Sequence, residues 1–231
     1  MLDTKMDTNN KKLAESLKGS FAAMTEQIGA EGTKVGIEGA RQIVTTGKPV
    51  TAESIAKSLG MTEERVQQIL LRLSNLGLAF RDDNGVVLSM WGVVAPDTHV
   101  PVSDHQIRIG KGPATYTWCA IDALYFAFML DTTLDISSVD PVTKEKISLT
   151  LSPDGTITGL SPAGAALSVL IPDGPITRDI RTRVCHYVVF FAGEESGREW
   201  ANKQGQTFKL LTIPEAAQWI KENSKKVFGV F

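Results

Sequence analysis

Cys119, Asp122 and Cys185 are the side chains of this sequence whose types and spacing could do chemistry. Thiolates act as nucleophiles and soft-metal ligands, and a carboxyl can carry a proton. The pattern from Tyr116 to about Asp131 predicts an aromatic-rich helix, which sets Cys119 and Asp122, three positions apart, on one face. Cys185 lies in the apolar run Val184–Ala192, which reads as a strand, and a strand residue can stand opposite a helix face in a two-layer core. Taken alone, the two cysteines read more readily as small buried hydrophobes. Asp122 is harder to dismiss. Its neighbours Trp118, Ala120, Ile121, Leu124, Phe126 and Phe128 are apolar, and a carboxylate is costly to bury without a partner or a task, unless it sits at the wet edge of the helix.

The histidines add little to this set. On a strand, His186 points away from Cys185, because neighbouring side chains alternate. His99 and His105 lack metal-ligand spacing, and no phosphate loop, CxxC, GxSxG or HExxH occurs.

The elements that must position these residues fall into two stretches. Leu13, Leu17, Phe21 and Met24 predict a helix from Leu13 to about Ile28, broken by Gly29 and Gly32, with a second helix over Val35–Val44. Thr51 and Thr62 are N-cap candidates for two further helices, the second striped by Val66, Ile69, Leu70 and Leu73 and stopped by Gly77. An Asp82–Gly85 turn between Leu78–Arg81 and Val86–Trp91 completes a winged helix-turn-helix pattern. Beyond Pro96, strands are expected at His105–Ile109, Leu134–Ser138, Ile147–Leu151 and Leu167–Ile171, with helices over Glu194–Lys203 and Pro214–Lys225. The expected class is α+β: an N-terminal helical winged-helix-like module (residues 1–95), then a mixed, mainly antiparallel sheet core flanked by helices (residues 96–231).

The charge balance argues against nucleic acid. The net charge is −2, and residues 1–95 carry 11 basic and 11 acidic side chains. The helix that would meet DNA opens with Glu63 and Glu64. The N-terminal sequence has no apolar run and no small-residue cleavage site, so no signal peptide is expected. The longest apolar stretch, Ala120–Leu130, is interrupted by Asp122 and too short for a bilayer. A cytoplasmic protein with reduced thiols is the expectation.

The segment Thr117-Trp-Cys-Ala-Ile-Asp122 resembles the signature Trp-Cys-Ala-x-Asp of the organomercurial (alkylmercury) lyase family. Similar blocks follow in the family's order: Ile147-Ser-Leu-Thr-Leu-Ser-Pro153, Ser161-Pro-Ala-Gly164, Val184-Cys-His-Tyr-Val-Val-Phe-Phe-Ala192, Trp200-Ala and Pro214-Glu-Ala. The resemblance implies that Cys119 and Cys185 bind mercury and that Asp122 is the catalytic aspartate and a further mercury contact. It also implies an N-terminal winged-helix-like module that does not bind DNA. Asp140 stands where the family usually has a third, structural cysteine, and His186 where some members have an extra one.

The chemistry that the resemblance implies is protonolysis of R–Hg⁺ to RH and Hg²⁺. Soft thiolates capture mercury and push electron density into the carbon–mercury bond, and Asp122 delivers the proton. No cofactor is required, and Hg²⁺ is bound as product. The implied partners are an organomercurial substrate, external thiols and, as a candidate acceptor of Hg²⁺, a mercuric reductase, with no nucleic acid or membrane partner. The competing readings are a non-catalytic soft-metal binder and a metal-responsive DNA-binding regulator.

Overall fold

The computed structural model describes residues 26–171 and 179–228. The expected first helix, Leu13–Ile28, lies outside the described residues up to residue 25. From residue 26, one helix, α1 (residues 26–46), runs past Gly29, where a φ of 70° interrupts the helical dihedrals as the expected break implies, and past Gly32, where no such interruption occurs. Glycine weakens a helix but also lets a neighbour approach its backbone, and here packing outweighs propensity. A Cβ on Gly36 would lie 2.4 Å from the Trp91 ring, and one on Gly39 would lie 2.5 Å from the Met90 sulfur.

The expected caps form. In α2 (Ala52–Leu59), the Thr51 hydroxyl accepts from the Ser54 N–H while the Ser54 hydroxyl accepts from the Thr51 N–H, and Gly60 ends the helix with φ 64°. In α3 (Glu63–Asn75), Thr62 accepts from the Arg65 N–H, and Val66, Ile69, Leu70 and Leu73 are buried. Strands β1 (Ala79–Arg81) and β2 (Val87–Met90) pair antiparallel across a turn in which Asp82 accepts from the Asn84 and Val86 N–H groups. A short β3 (Val93–Val94) folds back on β2.

The same sheet continues through β5 (Ala114–Thr117), β4 (Gln106–Arg108), β6 (Leu134–Val139), β7 (Lys146–Leu151) and β8 (Ile157–Ser161), in the order β1-β2-β3-β5-β4-β6-β7-β8 with every registered pair antiparallel. Strands from both sides of residue 95 therefore share one sheet, joined where Val93 and Val94 face Thr117 and Tyr116. The expected pairing of β6 with β7 is present, and its inward residues Leu134, Ile136, Ile147, Leu149 and Leu151 are buried. Helix α4 (Ala120–Met129) packs against β5 and β6. A second sheet, β10 (Phe190–Phe191), β9 (Ala166–Leu170) and β11 (Phe208–Thr212), is covered by α6 (Glu194–Asn202) and α7 (Ile213–Phe228), and α7 also packs on α4. Among the described residues, no helix is long and apolar enough to cross a membrane.

Two expected elements change identity. The helix expected from Tyr116 begins at Ala120, because Ala114–Thr117 is a strand held between β3 and β4 with Thr115 and Thr117 turned inward. The strand expected at Val184–Ala192 opens instead on a 3₁₀ turn at Cys185–Tyr187, which follows directly on a one-turn helix, α5 (Ile180–Arg183), and only Phe190 and Phe191 pair as strand. An apolar run shows that a segment is buried but not how it is hydrogen-bonded. Here the Tyr187 and Val188 N–H groups bond back to the Val184 and Cys185 carbonyls, and the Val188 carbonyl is left to accept from the Ala120 N–H at 3.0 Å.

Asp140, where the resemblance implies a structural cysteine, is itself a structural device. The carboxylate is fully buried. One oxygen accepts from the Val142 and Thr143 N–H groups at 2.7 and 3.1 Å. The other accepts from the Ala192 N–H at 2.7 Å and the Ser196 hydroxyl at 2.6 Å. The β6–β7 turn is thereby tied to the start of α6.

Candidate active site

Cys119 enters the site at a change of backbone conformation. Thr117 ends β5 and Ala120 starts α4, so Cys119 is the N-cap, in extended geometry with φ −154° and ψ 172°. Asp122 lies in the first turn of the same helix. Spacing alone predicts both on one helix face; they meet instead as cap and first turn, which brings the Cys119 thiol to donate to an Asp122 carboxylate oxygen at 3.1 Å. Ala120, Ala123, Leu124, Phe126 and Ala127 bury the remainder of the helix, fixing its start against the sheet.

Cys185 arrives from the 3₁₀ turn. The bond from the Ala120 N–H to the Val188 carbonyl couples that turn to the N-terminus of α4. The two Sγ atoms and a carboxylate oxygen of Asp122 all lie within 4.8 Å of one another. Both cysteines are buried and neither forms a disulfide. The structure thus brings together all three residues selected from sequence, across 66 positions of chain. His186 is exposed on the outer side of the 3₁₀ turn, so it does face away from Cys185, although strand alternation is not the reason. His105 is buried elsewhere, with Nδ1 2.7 Å from the Ser138 hydroxyl, and burial lowers its pKa to about 4.

Burial governs the electrostatics of the trio. It raises the Asp122 pKa to about 7, against the opposing pull of the Cys119 thiol and the Cys119 backbone N–H. It also pushes the Cys119 thiol well above its ordinary value, with the neighbouring Cys185 thiol and the Asp122 charge adding to the rise. Cys185 is lowered by its contact with the Cys119 thiol, but burial and the Asp122 charge outweigh this, and the net direction is upward. A carboxyl that holds a proton near neutral pH therefore sits beside two thiols that are reluctant to ionise until a soft cation takes the place of their protons.

Three surrounding features make contacts that the sequence does not signal. The Arg181 guanidinium lies over the Phe80 and Trp118 rings at 5.0 and 5.7 Å, bonds the Pro101 carbonyl, and exerts a favourable charge on Cys185. Trp118 donates from its indole N–H to the Ser89 hydroxyl at 2.7 Å and packs edge-on against Phe80. Gly92, in the turn between β2 and β3, lies directly against the Asp122 carboxyl. Trp118 stands in the signature segment, but no local pattern marks its partners or Arg181 and Gly92, because each acts across the fold.

The sequence model of the family described as alkylmercury lyase matches residues 100–224 of this chain. The alkylmercury lyase of Streptomyces lividans is 32% identical over 177 residues, which cover 77% of this chain and 76% of the relative. That of Staphylococcus epidermidis is 28% identical over 200 residues, covering 85% and 86%. A crystal structure of the mercury-bound form of MerB2 shares the fold, with a TM-score of 0.72 at 20% identity over 92% of this chain and 99% of the other. With a family match spanning the segment that carries all three residues of the trio, and relatives aligned over most of their length, this chain belongs to the alkylmercury lyase family.

Proposed function

We propose that this chain is an organomercurial lyase that cleaves the carbon–mercury bond of R–Hg⁺ by protonolysis. The observation that carries the reading is a protonatable carboxyl, with a pKa of about 7, within 4.8 Å of two buried free thiols. One cysteine exchanges its proton for R–Hg⁺. The second coordinates the same mercury as a thiolate, and its proton passes to Asp122 or solvent. Asp122 then protonates carbon: the Hg–C electron pair becomes the new C–H bond, and Hg²⁺ stays between Cys119 and Cys185. Overall, R–Hg⁺ and two thiols give RH, a mercury dithiolate and one proton. Atoms and charge balance with groups the chain supplies, so the proposed reaction calls for no organic cofactor or resident metal. A simple thiolate trap has no use for the acid, which favours the catalyst over the non-catalytic binder or the regulator.

The same proposal extends to the surroundings. Residues 1–95 act as a winged-helix-like structural module and residues 96–231 as the catalytic core. Glu63 and Glu64 at the start of α3 oppose binding to phosphate backbones. The cytoplasm suits the reduced thiols, and external thiols or a mercuric reductase would take the Hg²⁺.

The test is anaerobic incubation with methylmercury or phenylmercury and excess thiol, with the hydrocarbon measured in the headspace. Methane or benzene should appear with the wild type and disappear with Cys119→Ser or Cys185→Ser in folded protein. Absence of hydrocarbon from the wild type, or full turnover without either thiol, would overturn the reading.

A further inference from the structure

We propose that Gly92, in the N-terminal part of the chain, is a positioning residue for Asp122: its bare backbone forms the wall that holds the carboxyl against Cys119, and any side chain there would displace the acid. The proposal rests on the lyase reading above. A Cβ on Gly92 would lie 2.7 Å from the carboxyl carbon of Asp122 and 2.9 and 3.1 Å from its two oxygens. Carbon–carbon contacts settle at about 3.5–4.0 Å, so the carboxyl occupies space that only glycine leaves open. One face of the carboxyl is covered by this backbone, and the Cys119 thiol meets it at 3.1 Å.

The wall is itself anchored. Ser89 and Met90 pair with Val94 and Val93, leaving Trp91 and Gly92 as a two-residue hairpin turn with φ 54° and 97°. Positive φ at both central positions is the type I′ pattern. The Trp118 N–H donates to the Gly92 carbonyl at 2.8 Å, one residue before Cys119, and the Trp91 N–H donates to the Leu78 carbonyl at 3.0 Å. The Trp91 ring sits against Gly36 of α1. A chain of contacts therefore runs from α1 through Trp91 and Gly92 to Asp122, which gives the N-terminal part a role in the reaction that needs no DNA. Proton delivery depends on placing the acid to within about 1 Å, a displacement that can cost about 10²-fold in rate.

Gly92 also serves the turn, and the experiment separates the two roles. Gly85→Ala is the control, because Gly85 has φ 81° and a methyl added there would meet nothing within 4 Å, so it suffers the backbone strain without any contact. Mercury bound per protein and hydrocarbon released in a single turnover are measured for folded Gly92→Ala, Gly85→Ala and wild type. Gly92→Ala should capture phenylmercury normally and release benzene about 10²-fold more slowly, with Gly85→Ala at the wild-type rate. Wild-type release by folded Gly92→Ala would overturn the proposal, whereas failure of the wild type to release benzene would instead overturn the lyase reading. If Gly92→Ala does not fold, Trp91→Gly decides: Gly-Gly suits a type I′ turn, but the anchor on Gly36 is gone. Release should then fall between about 10- and 10²-fold with capture intact. Unchanged release would overturn the anchored wall proposed here, because the contact that holds Gly92 in place would then be dispensable.

Discussion

Asp122 and Asp140 are both carboxylates enclosed by this fold, and they end in opposite electrostatic states. Asp122 has the Cys119 thiol as its hydrogen-bond donor, and burial raises its pKa to about 7. Asp140 also pays a cost of burial, but Ser196, Ala192, Thr143 and Val142 donate to it, and its pKa is lowered. The number of donors, rather than enclosure alone, decides whether such a carboxyl keeps its proton. The donor-poor acid can hand a proton to a substrate, and the donor-rich one holds two segments of chain together.

The largest effect should come from removing the proposed proton carrier. Asp122→Asn should retain mercury capture, because both thiols remain, while hydrocarbon release falls by about 10²–10⁴-fold, the usual worth of a catalytic acid. The measurement pairs mercury bound per protein with hydrocarbon released per minute. Undiminished release would leave Asp122 no different in kind from Asp140.

Asp140→Ala should do the reverse, leaving release per folded molecule unchanged while destabilising the fold. It removes the acceptor of the half-buried Ala192 N–H and one of the two acceptors of the Ser196 hydroxyl, which keeps the Gly193 carbonyl, at a cost of about 1–3 kcal/mol. Because the folded pKa lies below the ordinary 3.8, this stabilisation is fully present above that value and fades as pH falls through the folded pKa. Denaturant melts at pH 7 and pH 3 should show the wild-type advantage shrinking at the lower pH.

Single-turnover release from protein preloaded with phenylmercury should follow the protonated fraction of Asp122 and fall as pH rises through its titration. Capture should move the other way and strengthen as pH rises, since both thiols are held above their ordinary values. A release rate that is flat from pH 6 to 9 would place the proton elsewhere.

The smallest effect is on stability at Asp122 itself, opposite in sign to that at Asp140. A folded pKa of about 7 against 3.8 means that ionisation opposes folding, and the cost grows between those values as pH rises. Asp122→Asn should therefore gain stability relative to wild type as the pH rises from 4 to 8. Equal melts at both pH values would show that the carboxyl is not perturbed.

Several features were legible in the chain because they are local. The caps at Thr51 and Thr62, the α3 stripe, the Asp82 turn and the β6–β7 pair rest on hydrogen bonds and periodicities spanning a few residues. The trio was legible for another reason. The spacing of Cys119 and Asp122 is short, their apolar neighbours make a carboxyl conspicuous, and the ordered blocks of a known family supplied Cys185. Only the tertiary structure decided the remainder. The apolar run at Val184 became a 3₁₀ turn in which the Val184 and Cys185 carbonyls accept locally, while the Val188 carbonyl accepts from the Ala120 N–H across the fold. Gly32, Gly36 and Gly39 continue a helix on which Trp91 and Met90 press. Asp140 took up a structural task through donors as far away as Ser196, and Gly92 reached Asp122 from the other side of the sheet junction. Contacts between residues distant in the chain leave no periodicity to read, so the sequence carries the chemistry of the site while the fold supplies its walls.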